Sequence, residues 1–277
     1  MMSGLKRFAC AAMATVAGLA GAASAGSQAI FRVDSISLRD PHAFQFVIIL
    51  CVDITGQLNA EIDANLNDDG DMNGLLDLGF VIVFDDLDPM AMGGSVRIGE
   101  ANCTAPAAGT NCTEGMMALE SVPYMNTLVG MECLGIVPGT VRPYSPAVTT
   151  TTGPCFSTSA QSVTLDLGGI PVTLQDAQFA ATYVGGADPT SLTNGLIRGF
   201  LSEADAEATV LPPDVPIVGG QTLAALLRGG SGNCASGSDQ DVLNSVPGWW
   251  MYLNFTATRV VGDFPVACPT DLTGDGV

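Results

Sequence analysis

Residues 249–261 constrain the fold more than any other stretch, because apolar side chains there alternate with aromatic and polar ones at every second position. Successive side chains of a β-strand point to opposite faces of a sheet. One face would carry Trp249, Met251, Leu253, Phe255 and Ala257, and the other Trp250, Tyr252, Asn254, Thr256 and Thr258. We expect the first face to lie in a hydrophobic core, so the chain must build a sheet around it.

Several other segments have strand character. Residues 30–38 alternate apolar and polar side chains, and residues 43–54 form a nearly continuous apolar run typical of a strand covered on both faces. Strands are also predicted at 79–84 and, as a hairpin, within 163–183. Residues 89–160 are rich in Gly, Pro, Thr and Cys, which indicates loops and short strands.

Helical signals are few and short. Ser202 is a candidate N-cap for a helix that ends at Pro212-Pro213, and a second helix is predicted around Leu223. We therefore predict a mainly β protein, built as an antiparallel β-sandwich or jelly roll with one or two short helices and stapled by disulfides.

The N-terminus has the features of an export signal. Lys6 and Arg7 precede an apolar run at 8–20, and Ala23-Ser24-Ala25 has the small-residue spacing of a cleavage site. A membrane anchor is the alternative, but the apolar run is shorter than the ~20 residues that span a bilayer. No later segment qualifies as a membrane span, so we expect a secreted or cell-surface protein whose mature chain begins at Gly26.

This organisation divides the chain into three parts. Residues 1–25 form the signal peptide, residues 26–262 form a β-rich extracellular domain, and residues 263–277 form a linker and tail. The 252 residues of the mature chain suit one large domain, or two subdomains divided near 150–160.

The mature chain is strongly acidic. It has seven arginines, no lysine and 28 carboxylates, which gives a net charge of −21. Such a surface repels nucleic acid and anionic membranes and attracts divalent cations. Solubility in a salty environment is a second explanation of the same composition, and composition does not separate the two.

Seven cysteines remain after cleavage, and in an exported protein they should be largely disulfide-bonded. Cys103–Cys112 is the pair that the spacing favours, and Cys133–Cys155 and Cys234–Cys268 are the next by proximity. Cys51 lies within the apolar run at 43–54, where a free thiol behaves as a small buried hydrophobe. We therefore expect Cys51 to be the unpaired cysteine.

Residues 69–77 read DGDMNGLLD and place oxygen-bearing side chains at Asp69, Asp71 and Asn73, with Gly74 at the sixth position and a further carboxylate at Asp77. Glycine suits a position where the backbone turns sharply, and carboxylate, amide and main-chain oxygens are the ligands of Ca²⁺. The alternative is a solvated turn that binds nothing, since the same residue types dominate turns. Just upstream, Asp63, Asn65 and Asn67 repeat the spacing, and either widen the site or form a plain turn.

This stretch resembles the calcium loops of EF-hands, dockerin modules and integrin-type calcium hairpins. The resemblance implies ligation of Ca²⁺ by Asp69, Asp71, Asn73, the main-chain carbonyl of Leu75, and Asp77. The twelfth position, where an EF-hand has a bidentate Glu, is Phe80. Because 79–84 is predicted as a strand, we expect a calcium hairpin between two strands and not an EF-hand.

The C-terminal residues resemble the start of a dockerin or EF-hand repeat. In CPTDLTGDGV, Asp271, Thr273 and Asp275 occupy the first three ligand positions, and the ninth and twelfth positions are missing. The resemblance implies a calcium site that these residues alone do not complete.

A possible sugar-binding surface follows from the strand at 249–261. Trp250 and Tyr252 share a face with polar neighbours, and aromatic rings stack well on sugar rings. The alternative is that both rings are packed under a loop, as large aromatics often are.

Catalytic signatures are scarce. The chain lacks GxSxG and HExxH motifs, and its single histidine, His42, is predicted in a surface turn, with a general base as the alternative. These features favour a secreted calcium-binding protein with a structural or interaction role and an extracellular protein or polysaccharide as partner. A carbohydrate-binding or carbohydrate-active module and a secreted hydrolase remain as alternatives.

Overall fold

The computed structural model describes residues 28–265, except 167–169, 214, 216, 217, 233, 235 and 236. The protein is mainly β and antiparallel, as the alternation patterns predict. Its helices are short, and three disulfides are formed among the described residues. The export signal at 1–25 and the tail at 266–277 lie outside the described residues.

The elements follow one another with few long connections. The first half of the chain contains β1 (Ala29–Asp40), β2 (Phe44–Val47), β3 (Leu50–Asp53), α1 (Thr55–Asn67), β4 (Phe80–Phe84), β5 (Gly93–Cys103), β6 (Asn111–Glu114), β7 (Glu120–Thr127) and β8 (Glu132–Leu134). The second half contains β9 (Thr151–Thr152), β10 (Cys155–Thr158), β11 (Gln161–Asp166), β12 (Pro171–Val184), β13 (Ser191–Ser202), α2 (Glu203–Ala208), α3 (Leu223–Leu226), β14 (Asp241–Leu243) and β15 (Val246–Asp263).

Eight strands form one sheet that closes on itself. The pairing runs β1–β4–β5–β7–β10–β12–β13–β15 and returns from β15 to β1, and every pair is antiparallel. The expected sandwich or jelly roll is therefore wrong, because those folds consist of two separate sheets. Alternation along single strands does not distinguish the two architectures, since both place every second residue in a core.

The interior of the barrel is filled by the predicted core face of β15 together with aromatic side chains from other strands. Trp249, Met251 and Leu253 are all 5 % exposed or less and belong to the main core cluster. Phe84 lies at the centre of the aromatic group, with edge-to-face contacts to Tyr124 and Phe156 at centroid distances of 5.1 Å. Such contacts add specific geometry to the hydrophobic gain of burial.

Helix α1 takes the place of a strand beside the second half of β1. Strand β4 pairs with β1 only over residues 29–32. Beyond that point, side chains of α1 bond to the backbone of β1. Asn59 accepts from the Leu38 amide (2.8 Å) and donates to its carbonyl (3.1 Å), Asp63 accepts from the Ile36 amide (3.1 Å), and Asn67 donates to the Asp34 carbonyl (2.9 Å). We call these contacts the amide ladder.

The amide ladder forms because the rise of one helix step of four residues nearly equals the rise of one strand step of two residues. Four residues of an α-helix rise about 6 Å, and two residues of a strand rise about 6.7 Å. Side chains at every fourth helix position therefore reach every second strand residue. Buried Arg32 secures the end of the helix, because its guanidinium donates to the Leu66 carbonyl (2.7 Å) and the Asn67 side chain (3.2 Å).

Two predictions about this region are wrong. Asp63, Asn65 and Asn67 lie in helix α1 and not in a plain turn, and Asp63 and Asn67 bond to β1 in the amide ladder instead of widening the predicted calcium site. The apolar run at 43–54 is not a covered strand but the hairpin β2–β3, which turns at Ile48 (φ 58°) and exposes most of its side chains. A β-branched residue rarely adopts positive φ, so the sequence carries no turn signal there.

The disulfides confirm two of the predicted pairs and correct the third. Cys103–Cys112 joins β5 to β6, and Cys133–Cys155 joins β8 to β10. Cys51, which we expected to be free, is bonded to Cys234, so the pairing of Cys234 with Cys268 is also wrong. The error follows from the exposed hairpin, because its strand β3 carries Cys51 out of the core and towards the segment after α3.

The two short helices begin where their sequence signals predict, although α2 ends at Ala208 and so stops before Pro212-Pro213. Ser202 caps α2 by accepting a hydrogen bond from the Asp205 amide (3.1 Å), and Thr222 caps α3 in the same way. In the described part of the chain, every helix is too short or too polar to cross a lipid bilayer.

The amide ladder predicts the effect of a substitution in α1. Asn59→Ala should lower the free energy of unfolding by about 1–3 kcal/mol, because two backbone groups of Leu38 lose their partner. The loss should occur although alanine is the better helix former. Urea denaturation would measure it, with the exposed Gln57→Ala as the control that changes stability by less than about 0.5 kcal/mol. Equal stability of both variants would contradict the ladder.

Candidate metal centre

The loop at 69–77 links the end of α1 to the start of β4 and is tied to three neighbouring segments. The amide of Leu78 donates to the Asn65 carbonyl of α1 (2.8 Å), and the amide of Asp77 donates to the Asp68 carbonyl (3.0 Å). On the other side, the amide of Leu76 donates to the carbonyl of Cys103 in β5 (2.8 Å). Leu76 is also buried, so the backbone of the loop is fixed on both flanks.

Three carboxylates of this loop converge. One oxygen from each of Asp69, Asp71 and Asp77 lies within 4.8 Å of the others. Two oxygens on opposite sides of a calcium ion lie about 4.6–5.2 Å apart, because the Ca²⁺–O distance is about 2.3–2.6 Å. The spacing of the carboxylates therefore fits a shared ion of this kind.

Backbone amides of the loop hold these carboxylates in place. Asp69 accepts from the amides of Asn73 (2.8 Å) and Gly74 (2.9 Å), and Asp77 accepts from the amide of Gly70 (3.1 Å). Gly74 has φ +87°, the conformation that the motif predicts for its sixth position. The loop thus folds around its own acidic side chains, and each carboxylate retains lone pairs beyond those used by the amides.

The remaining predicted ligands are placed differently. Asn73 uses its side-chain oxygen to accept from the Leu75 amide (2.7 Å) and its side-chain amide to donate to Asp71 (2.9 Å). Among the described residues, none donates a hydrogen bond to the Leu75 carbonyl. The donor set offers only oxygen atoms, which are the ligands of hard cations such as Ca²⁺ and Mg²⁺.

In the part of the chain that the structure describes, no cationic side chain forms an ion pair with this cluster. The ion pairs among the described residues use aspartates elsewhere, at Asp53, Asp85, Asp188, Asp239 and Asp241. Three neighbouring carboxylates repel one another, and the repulsion is only partly offset by the backbone amides. A bound divalent cation would remove it.

The surroundings of the loop differ from the expected calcium hairpin. Helix α1 precedes the loop and strand β4 follows it, so the order is helix, loop, strand, and the prediction of two flanking strands is wrong. Phe80 at the twelfth position is buried in the core and offers no ligand, as the sequence predicts. Leu58, Ile62 and Leu66 recur at every fourth position, which is the signal that could have revealed the helix.

The other predicted site residues do not join this centre. Asp271, Thr273 and Asp275 lie outside the described residues. Trp250 and Tyr252 are 6 % and 0 % exposed, so they do not form a surface for sugar rings. They pack with Leu134 and Phe200 instead, and the Tyr252 hydroxyl accepts from the Val137 amide (3.0 Å). The alternative reading, with both rings under a loop, is the one that the structure shows.

A second polar cluster surrounds His42, which is buried and not in a surface turn. Its Nδ1 lies 2.5 Å from Asp53, and its ring stacks on Tyr144 at a centroid distance of 3.9 Å. The Tyr144 hydroxyl donates to Asp239. The sequence does not reveal this cluster, because its members are distant along the chain.

Asp40 and Arg142 extend the His42 cluster. Asp40 accepts a hydrogen bond from the Arg142 amide (2.7 Å), and the Arg142 side chain bonds to Asp241 (3.1 Å). Burial raises the pKa of Asp40 to about 7, and nearby Asp239 adds to the rise. Burial and the bond to Asp239 likewise raise the pKa of Tyr144. The cluster cross-links the end of β1, the base of the β2–β3 hairpin and two later segments, which supports a structural role for His42.

No family model, curated protein or solved structure matches this chain.

The raised pKa of Asp40 predicts how stability depends on pH. Folded Asp40 binds a proton up to about pH 7, whereas an unfolded aspartate releases it near pH 4. The contribution of this proton to the free energy of unfolding is therefore complete below pH 4 and is lost as the pH rises to 7. The free energy of unfolding falls by roughly 1.4 kcal/mol for each unit by which the pKa of Asp40 differs between the folded and unfolded states.

Asp40→Asn removes this titration and keeps an oxygen that can accept from the Arg142 amide. Urea unfolding at pH 4.5 and pH 8 should therefore show the variant gaining stability relative to the wild type at the higher pH. The exposed Asp86→Asn serves as the control. Parallel pH profiles for wild type and Asp40→Asn would contradict the prediction.

Proposed function

We propose that this chain is an exported calcium-binding protein in which the ion stabilises the loop at 69–77 and gives the protein a structural or interaction role outside the cell. The observation that carries the proposal is the convergence of Asp69, Asp71 and Asp77 in a loop that no protein cation neutralises among the described residues. The Leu75 carbonyl, which accepts no hydrogen bond from the described residues, and the turn at Gly74 add support.

The ion would act on the junction between helix and sheet. Asp69 follows α1 closely, and Asp77 lies three residues before β4. Binding of Asp69 and Asp77 to one ion would therefore fix the path of the chain from the helix into the closed sheet. A ligand that binds only the folded state stabilises it by mass action.

Export is supported by the cysteine chemistry. Three disulfides tie separate segments together among the described residues, and such bonds persist in oxidising compartments. An extracellular protein is the partner that we favour. The polysaccharide partner loses its main support, because Trp250 and Tyr252 are buried.

Calcium should raise the melting temperature of the mature protein by several degrees. Calcium at 100 times its Kd adds about 2.7 kcal/mol, and each kcal/mol shifts the melting temperature of a chain this size by about 2–4 °C. Asp71→Ala should abolish the response, because it removes a carboxylate from the shared site. Differential scanning calorimetry with calcium or with a chelator measures both effects.

The exposed Asp86→Ala is the matched control and should keep the full calcium response. Comparing each variant with and without calcium separates loss of the ion from loss of the hydrogen bonds that Asp71 makes to Asn73. If wild type and Asp71→Ala respond equally to calcium, the ion does not bind at this loop.

A further inference from the structure

A cavity of about 410 Å³ lies between helix α1, the segment around α3 and the inner face of the sheet. We call it the aliphatic cavity. Its walls come from both sides, with side chains of the helices facing side chains of β12 and β15. The main contacts are Leu58, Ile62, Leu174, Leu223, Met251 and Leu253.

The cavity results from the replacement of a strand by a helix. Paired strands lie about 4.8 Å apart, whereas a helix with its side chains is about 10 Å wide and stands away from the sheet. The amide ladder fixes α1 at the edge of β1, so the helix does not move inward to fill the space. The remaining volume is part of the architecture.

The size of the cavity is that of a ligand site. Protein interiors pack closely, and their voids seldom exceed a few water molecules. Pockets that bind small molecules measure roughly 300–1,000 Å³ and are mostly apolar with a few polar groups. The aliphatic cavity falls within that range, and eight-stranded barrels of this kind are able to enclose one small ligand.

Its polar groups lie on one side, along α1. Asn59 uses its side chain in the amide ladder, and Glu61 is exposed at the rim. Asn65 lines the cavity, and among the described residues its side-chain amide has no hydrogen-bond partner. A ligand with a polar end would therefore place that end beside Asn65.

Charge excludes one common class of aliphatic ligand. Among the described residues, the lining contains no Lys, Arg or His, and its only ionisable group is the carboxylate of Glu61. An anionic head group would lack a cationic partner and would meet the field of a strongly acidic protein. A neutral head group meets neither cost.

We propose that the aliphatic cavity binds one neutral ligand with an aliphatic body, such as a long-chain alcohol, with its polar end at Asn65. The hydrocarbon displaces water from the leucine and isoleucine walls, and the hydroxyl bonds to the free amide. This site is separate from the calcium loop and does not depend on the ion.

The binding test uses the calcium-loaded mature protein and the neutral apolar dye N-phenyl-1-naphthylamine, whose fluorescence rises in apolar surroundings. The dye should bind with saturation and should be displaced by 1-dodecanol. At pH 8, the concentration of dodecanoate that displaces the dye should be at least about tenfold higher than that of 1-dodecanol, because the dodecanoate charge has no partner in the cavity. Both competitors are used below the concentrations at which they aggregate.

Ile62→Trp fills the cavity from the helix side and should weaken dye binding at least about tenfold. Val242→Trp introduces the same side chain at a residue that is 68 % exposed and should leave binding unchanged. Circular dichroism shows whether each variant is folded. If Ile62→Trp does not fold, Leu223→Trp fills the same space from the opposite wall and decides the question.

The exposed apolar hairpin β2–β3 is a competing site for the dye. Ile48 and Ile49 are 87 % and 79 % exposed, so replacing both with serine removes much of that surface without touching the cavity. The proposal is overturned if the dye does not bind, if the serine variant loses binding while the folded tryptophan variant keeps it, or if dodecanoate competes as well as dodecanol.

Discussion

The structure depends on how strand β1 satisfies its backbone between Asp34 and Leu38. Strand β4 has already left β1 at this point, and the edge would otherwise expose unpaired amides and carbonyls. The amide ladder from Asn59, Asp63 and Asn67 supplies the partners. The sheet is thus closed by β4 along one part of β1 and completed by α1 along the other.

This arrangement determines where the calcium loop at 69–77 and the aliphatic cavity lie. Because α1 and β4 succeed each other on the same edge, the chain between them must make a tight connection, and the loop at 69–77 is that connection. Because a helix is wider than a strand, space remains beneath α1, and the aliphatic cavity occupies it. One side of the helix therefore bonds to the sheet, while Leu58 and Ile62 line the cavity.

Local patterns in the sequence predicted much of the structure. The strands at 30–38 and 249–261, the N-cap at Ser202 and the turn at Gly74 all follow from the residues themselves. Long-range pairing is not encoded locally, so closure of the sheet, the bond Cys51–Cys234 and the His42 cluster were missed. Helix α1 was missed because its asparagines favour turns in isolation, whereas their contacts with β1, which help to stabilise the helix, are not visible in the local sequence.

The central claim is that the loop at 69–77 binds calcium and thereby fixes the junction between α1 and β4. Amide hydrogen exchange, followed by mass spectrometry with calcium and with a chelator, tests it most directly. Calcium should slow exchange across residues 65–78, whose amides hold the carboxylates and the helix end, and should leave β12 and β13 unchanged. Identical exchange across 65–78 in both conditions would contradict the claim.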